Sequence, residues 1–136
     1  MTVVDASVWV SRLVSVDVHH AASRRWLKQY TAGGGVVIGP ALLLAEVAGA
    51  IARRTGEPRL AHQAVRQMLR VPRFRLVGTD SRLAEAAARL AADLGLRGAD
   101  AVYVATAQQL NVPLVTWDSE QQTRTGSVIV ARPPAP

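Results

Sequence analysis

The sequence predicts an α/β protein built on an open, mostly parallel sheet with helices on both faces. Five short apolar segments alternate with longer segments of helical periodicity along the 136 residues. The predicted strands lack the polar alternation of a half-exposed sheet, which is typical of parallel strands covered on both sides. In open sheets of this kind, ligands bind beyond the carboxyl ends of the strands, where the strand order reverses.

The order of elements follows from local signals. The predicted strands cover residues 2–4, 36–38, 74–77, 114–116 and 128–130. The predicted helices cover residues 6–14, 17–30, 41–54, 58–70, 80–94 and 98–111, with a short helical turn near Glu120. Asp17 is predicted to cap the second helix, and Gly39-Pro40 to open the third, because proline is tolerated in the first turn. Asp80 or Thr79 is predicted to cap the fifth helix, which Gly95 ends.

Length and composition predict one folded domain. The hydrophobic content is 49%, and 136 residues suffice for one core. We expect residues 1–130 to form this domain and residues 131–136, which are rich in proline, to form a flexible tail. No segment is long and apolar enough to span a bilayer, and the N-terminus lacks the basic start of a signal peptide. We therefore expect a cytoplasmic protein without membrane contact.

Charge and cysteine content restrict the chemistry. Sixteen basic and ten acidic residues give a net charge of +6, and cysteine is absent. Any metal ion must therefore bind to oxygen or histidine. His19, His20 and His62 have no partner at metal-ligand spacing, and we expect all three at the surface. A basic body around an acidic pocket suits a polyanion held through a metal ion, although the same charge also serves solubility.

Four acidic residues are the candidate functional groups: Asp5, Glu46, Asp100 and Asp118. Asp5 and Asp118 follow predicted strands, so both lie at carboxyl ends of the sheet. Each aspartate also has a purely structural alternative, because Asp5 and Asp100 could cap helices and Asp118 could form an Asx-turn or a cap. Glu46 differs, since residues 41–52 are otherwise apolar or glycine. An unpaired buried carboxylate costs several kcal/mol, so we expect Glu46 to need a cation.

A divalent metal centre explains the four acids together. Mg²⁺ prefers oxygen ligands in octahedral geometry and keeps several waters when few carboxylates hold it. Such an ion lowers the pKa of a bound water, orients it towards phosphorus and stabilises the leaving oxygen. No histidine, cysteine or serine nucleophile is then required.

These motifs resemble those of the PIN-domain nucleases, and most of all the VapC toxins of bacterial toxin–antitoxin pairs. The resemblance rests on Val3-Val4-Asp5-Ala6-Ser7, on Glu46 in an apolar helix, on Gly98-Ala99-Asp100-Ala101 and on Leu114-Val115-Thr116-Trp117-Asp118. It covers the chain from Val3 to about Val130, with the motifs in order. It implies a PIN-like three-layer fold whose five-stranded parallel sheet has the order 3-2-1-4-5.

The resemblance also implies a function. Asp5, Glu46, Asp100 and Asp118 would hold one or two Mg²⁺ or Mn²⁺ ions, with Ser7 and Thr116 as supporting hydroxyl residues. The reaction would be endonucleolytic hydrolysis of RNA by metal-activated water. Family members are usually homodimers silenced by a VapB antitoxin, so we expect a homodimer that forms a heterotetramer or larger assembly with such a partner.

Further residues have weaker claims. Asp93 and Glu120 could assist the site, although a solvated helix end is the simpler interpretation of Asp93. Trp117 could stack on a base, but strand alternation favours packing; Trp9 and Trp26 are expected in the core or a dimer interface. Because aromatic residues make up 4% of the chain, we expect arginine–phosphate contacts and RNA shape to dominate binding.

Other protein classes are compatible with acids at strand ends. A receiver domain needs a lysine after a late strand, but the single lysine is Lys28 in an early helix. A haloacid-dehalogenase-type phosphatase needs an aspartate two residues after the first, and position 7 is serine. The remaining alternatives are a PIN-like protein that binds RNA without cutting it and a PIN nuclease that processes RNA without being a toxin.

Overall fold

The computed structural model describes residues 1–135, which form five strands and seven helices. The strands are β1 (Thr2–Val4), β2 (Val37–Pro40), β3 (Phe74–Val77), β4 (Leu114–Val115) and β5 (Ala131–Arg132). The helices are α1 (Ala6–Leu13), α2 (His20–Ala32), α3 (Leu43–Thr55), α4 (Pro58–Leu69), α5 (Ser81–Leu94), α6 (Gly98–Leu110) and α7 (Ser119–Arg124). All strand pairs are parallel, in the order β3-β2-β1-β4-β5, which confirms the predicted sheet.

Strand β1 lies at the centre of the sheet and of the core. Val3 is in register with Ile38 of β2 on one side and with Leu114 of β4 on the other. All three side chains are buried, at 3% exposure or less. A strand covered on both faces needs apolar residues at successive positions, which is why the sequence of β1 shows no alternation.

The boundary between β2 and α3 differs from the prediction. Gly39 and Pro40 are the last residues of β2, in register with Leu76 and Val77, and α3 begins only at Leu43. The missing N–H of proline is harmless at this strand end, because the next residue continues the ladder through a bond from Ala41 N to Val77 O (2.8 Å).

The last strand also lies later than predicted. Residues 128–130 do not form a strand: the N–H groups of Val128 and Ile129 both donate to Thr125 O in a turn, and β5 consists of Ala131–Arg132. Pairing with β4 fixes this register, since Thr116 N donates to Arg132 O (3.0 Å). The sheet therefore extends into the predicted tail, where Pro134 is also buried; Pro136 lies outside the described residues.

Three of the seven helices, α1, α5 and α7, have an aspartate N-cap whose side chain accepts a backbone hydrogen bond. Asp80 caps α5 by accepting a hydrogen bond from Leu83 N (2.9 Å), and Gly95 ends that helix in the left-handed conformation, as predicted. Helix α2 begins at His20, three residues after the predicted cap Asp17. Among residues 1–135, no helix has the length and apolar character needed to cross a membrane.

Substituting Gly39 tests the packing between β2 and α3. A Cβ atom on Gly39 would lie 2.4 Å from Leu43 Cδ2, and Leu43 is fully buried. Overpacking a core costs about 1–3 kcal/mol, so we expect Gly39→Ala to lower the free energy of unfolding in urea by that amount. Gly78→Ala is the matched control, because nothing lies within 4 Å of its Cβ position, and we expect a change below about 0.5 kcal/mol. Equal stability of the two variants would contradict this packing.

Candidate active site

Four elements bring the predicted acids to one edge of the sheet. Asp5 follows β1 and Asp118 lies just beyond β4, the neighbouring strand, at the point where the strand order reverses. Glu46 stands in the first turn of α3 and Asp100 in the first turn of α6. The charges of the other three acids all act on Asp100.

Asp5 is buried, at 6% exposure, and is held by two donors. It is the N-cap of α1, as the structural alternative proposed, and its Oδ2 accepts hydrogen bonds from Ser7 N (3.1 Å) and Thr116 Oγ1 (3.2 Å). Burial raises the pKa of Asp5; the bonds from Ser7 and Thr116 oppose this rise, and the charge of Asp118 adds to it.

Ser7 and Thr116 connect Asp5 to Asp118. Thr116 Oγ1 accepts a hydrogen bond from Asp118 N (3.0 Å), and Ser7 Oγ lies 3.4 Å from Thr116 Oγ1. Asp118 in turn caps α7, because its Oδ1 accepts hydrogen bonds from Glu120 N (2.9 Å) and Gln121 N (3.2 Å). The two supporting residues therefore occupy the predicted place, between the first and the last acid.

Glu46 has a protein partner that the sequence analysis did not identify. Tyr103 Oη donates a hydrogen bond of 2.6 Å to Glu46 Oε1, and the tyrosine is fully buried. The expectation that Glu46 depends on a cation is therefore too strong, because a buried hydroxyl already binds one of its oxygens. Burial still raises the pKa of Glu46, with Tyr103 opposing and the charge of Asp5 adding to the rise. The sequence carries one indication of this contact: Tyr103 lies three residues after Asp100 on α6, so the two side chains share a face of that helix.

Asp100 experiences the charges of all three other acids. Because α6 begins at Gly98, Asp100 is its third residue, so the alternative that it caps this helix is wrong; the N-cap is Arg97. Burial is the largest cause that raises the pKa of Asp100 to about 6, followed by the charges of Asp5, Asp118 and Glu46. The cation of Arg97, which the sequence analysis did not single out, opposes this rise.

The donor set fits a hard divalent cation. Among residues 1–135, no three Asp, Glu or His side chains are grouped as metal ligands in their present positions. Hydrogen bonds hold one oxygen each of Asp5, Glu46 and Asp118, and within the described part of the chain they leave the second oxygen of each, and both of Asp100, without a donor. Oxygen atoms on mutually repelling carboxylates are ligands that Mg²⁺ and Mn²⁺ prefer.

The remaining candidates lie outside this group. Asp93 is exposed and is not among the charges that shift the pKa of Asp100. Glu120 is exposed and lies 3.6 Å from Arg124. His62 is exposed, as predicted.

Two histidines depart from the prediction of surface positions. Both are only half-exposed: His19 stacks on Trp117, and His20 Nδ1 lies 2.9 Å from Ser11 O. Trp9 is fully buried, as expected of a core residue, whereas Trp26 is half-buried and stacks on Tyr30.

Comparisons of the whole fold find similar solved structures. VapC20 of Mycobacterium tuberculosis, described as a toxin that cleaves the sarcin–ricin loop, has a TM-score of 0.75 at 22% identity, over 90% of this chain and 94% of that chain. FitAcB of Neisseria gonorrhoeae has a TM-score of 0.74 at 21% identity, over 98% of each chain. VapBC2 of Rickettsia felis, bound to a promoter DNA fragment, has a TM-score of 0.75 at 14% identity, over 96% of this chain and 97% of that chain. At these identities, the likeness shows a common fold.

The sequence itself carries the signature of a family. No curated protein sequence matches the chain significantly. The sequence model of the PIN domain, however, matches residues 2–126, which include all four acids. This match covers nearly the whole chain and agrees with the observed sheet order. The chain therefore belongs to the PIN domain family.

Proposed function

We propose that this PIN domain is an endoribonuclease that depends on Mg²⁺ or Mn²⁺ and is the toxin of a toxin–antitoxin pair. The observation that carries the proposal is the gathering of four carboxylates at the carboxyl edge of the sheet, where burial, and then the charges of the other three acids, raise the pKa of Asp100 to about 6. Mutually repelling acids at a ligand-binding edge are typical of a functional site, since stability alone would separate them.

In the proposed site, all four acids serve as metal ligands. Asp5, Glu46, Asp100 and Asp118 would hold one or two ions. A bound ion supplies an activated water and stabilises charge on the leaving oxygen of a phosphodiester. Ser7 and Thr116 fix Asp5 and Asp118, while Tyr103 fixes Glu46, so that the unbonded oxygens keep a defined orientation. Rigid placement of ligands lowers the cost of reaching the reactive geometry.

Similar structures support the choice of substrate and partner. VapC20 is described as a toxin that cleaves the sarcin–ricin loop, and other similar structures are toxin–antitoxin complexes, some of them bound to DNA. For this chain, we infer an RNA substrate, a VapB-like antitoxin and a homodimer that forms a heterotetramer or a larger assembly with that antitoxin. The net charge of +6 favours association with a polyanion.

The rival proposal within this fold is a protein that binds or processes RNA without being a toxin. Cleavage assays separate binding from hydrolysis, and expression in a host without the antitoxin separates a toxin from a processing enzyme. The toxin would be supported by growth arrest that requires an intact four-acid site and that co-expression of an antitoxin relieves.

Asp100→Asn tests the proposed activity. The substitution keeps the shape of the side chain but removes a charge that the ion requires, so we expect discrete cleavage of end-labelled tRNA and ribosomal RNA fragments in Mg²⁺ or Mn²⁺ to be lost. EDTA should abolish cleavage by the parent protein as well. Asp93→Asn is the matched control, because it removes an exposed aspartate outside the site, and it should cleave like the parent. Unchanged cleavage by Asp100→Asn would overturn the site assignment.

The pKa of Asp100 predicts a pH-dependent stability difference. Because folding raises this pKa from 3.8 to about 6, the folded state holds the proton more tightly than the unfolded chain. The resulting stabilisation is present below about pH 4 and is lost as the pH rises through about 6. We expect the free energy of unfolding of Asp100→Asn, measured in urea and EDTA relative to that of the parent, to rise by about 1 kcal/mol from pH 4 to pH 8. Solvent screening at this half-buried group keeps the difference small. A constant difference across this range would contradict the coupling.

Glu46 and Tyr103 provide a second stability test without metal. We expect Glu46→Gln to raise the melting temperature in EDTA at neutral pH, because the substitution removes a partly buried charge while its amide oxygen can still accept from Tyr103. Tyr103→Phe should lower the free energy of unfolding by about 1 kcal/mol, because it removes the donor. Thermal unfolding of both variants measures the effects; a less stable Glu46→Gln would show that the hydrogen bond to the charged carboxylate outweighs the cost of burial.

A further inference from the structure

A cleft between α1 and α3 opens beside the four acids. Its volume is about 480 Å³, within the range of about 300–1,000 Å³ that is usual for ligand pockets. Ser7 and Glu46, which belong to the acidic site, line this cleft. The cleft therefore continues directly from the place where the scissile phosphate would lie. The cleft is also lined by His19, Trp117, Arg53 and Arg54.

Two aromatic rings form one wall of the cleft. The His19 and Trp117 rings are stacked, with centroids 3.8 Å apart and planes inclined by 8°. Trp117 is anchored at two points, because its Nε1 donates to Ser23 Oγ (2.8 Å) and its backbone N–H donates to Ser7 Oγ (3.1 Å). The indole N–H is thus already bonded, and the pair offers the cleft a fixed aromatic surface.

Two arginines from the end of α3 also line the cleft. Arg54 Nη1 donates to Asp17 Oδ2 (2.8 Å), and Asp17 Oδ1 accepts from His19 N (2.8 Å), so this ion pair braces the segment that carries the aromatic wall.

Arg53 differs from its neighbour, because in residues 1–135 no acidic side chain forms an ion pair with it. A Cβ atom on Gly49 would lie 3.1 Å from Arg53 Nη1. The guanidinium therefore lies back over the helix, one turn from Glu46 and towards the acidic site.

We propose that this cleft binds one nucleotide of a single-stranded RNA, next to the phosphate that is cut. The base lies against the His19–Trp117 pair, and Arg53 binds an adjoining phosphate. Stacking on aromatic rings is the usual means of holding an unpaired base, and a guanidinium matches a phosphate with two parallel hydrogen bonds. This inference rests on the proposed function and deepens it, since it assigns the substrate an unpaired nucleotide at the cut.

Mononucleotides provide the test, because they contain no phosphodiester bond and the proposed activity cannot consume them. AMP, GMP, CMP and UMP, with ribose 5-phosphate as the probe that lacks a base, would be titrated into ¹⁵N-labelled protein in Mg²⁺ and in EDTA. The indole N–H signal of Trp117, assigned with Trp117→Phe, and the backbone N–H signals of His19 and Arg53 report binding at the cleft; the backbone signals serve for Trp117→Leu. We expect at least one nucleotide to shift this signal and to bind about fivefold or more tightly than ribose 5-phosphate, the lower end of what one stacked base contributes.

Matched variants locate the site. Trp117→Leu removes the larger ring of the aromatic pair, and Trp26→Leu is its control, a half-buried tryptophan that also stacks on a neighbouring ring. Arg53→Ala removes the free cation, and Arg66→Ala is its control, because both arginines are exposed in the last turn of a helix. Trp117→Leu and Arg53→Ala should each weaken nucleotide binding about fivefold or more, and neither control should weaken it. If Trp117→Leu does not fold, the arginine pair alone decides.

The outcomes separate this inference from the proposed function. The inference is overturned if no nucleotide binds more tightly than ribose 5-phosphate, or if Arg53→Ala and a folded Trp117→Leu bind like the parent. Both results are independent of RNA cleavage, which is assayed separately. If the protein cleaves RNA but binds no nucleotide at the cleft, only the cleft assignment is overturned. If it binds nucleotides at the cleft but does not cut RNA, only the proposed activity is overturned.

Discussion

Four carboxylates repel one another at one edge of the sheet, where Asp5 and Asp118 follow β1 and β4 and where Glu46 and Asp100 lie in the first turns of α3 and α6. Burial and neighbouring negative charges raise the pKa of Asp100 to about 6, and burial raises the pKa values of Asp5 and Glu46. An arrangement that keeps acids close together costs stability in the absence of a counter-charge. This cost is confined to one edge of the sheet, where the strand order reverses and where open sheets usually bind ligands.

The surrounding side chains reduce this repulsion without removing it. Ser7, Thr116 and Tyr103 each donate a hydrogen bond to an acid or connect two acids, and Arg97 partly opposes the negative field at Asp100. These donors bind one oxygen each of Asp5 and Glu46 and leave the second oxygen of each without a donor in residues 1–135. The same arrangement therefore limits the cost of the repulsion and fixes the orientation of the carboxylates.

Local sequence signals predicted the parallel sheet and placed Asp5 and Asp118 at strand ends, because buried strands are short-range patterns. The strand order was predicted from the resemblance to the PIN-domain nucleases. Register is not a short-range pattern. Gly39-Pro40 and Ala131–Arg132 are strand residues only because they pair with β3 and β4, and composition alone favours a helix start and a tail. The Tyr103–Glu46 bond joins residues 57 positions apart, and the His19–Trp117 stack joins a loop to the end of β4. Such contacts follow from the assembled fold.

Calorimetric titration with Mn²⁺ measures directly whether the four carboxylates bind a metal ion. The proteins compared are the parent, Asp100→Asn and the control Asp93→Asn. If the four carboxylates form a metal centre, the parent and Asp93→Asn bind one or two ions with equal affinity, and Asp100→Asn binds at least about tenfold more weakly, which corresponds to about 1.4 kcal/mol. Equal binding by all three proteins, or no binding by the parent, would contradict a metal centre at the four carboxylates.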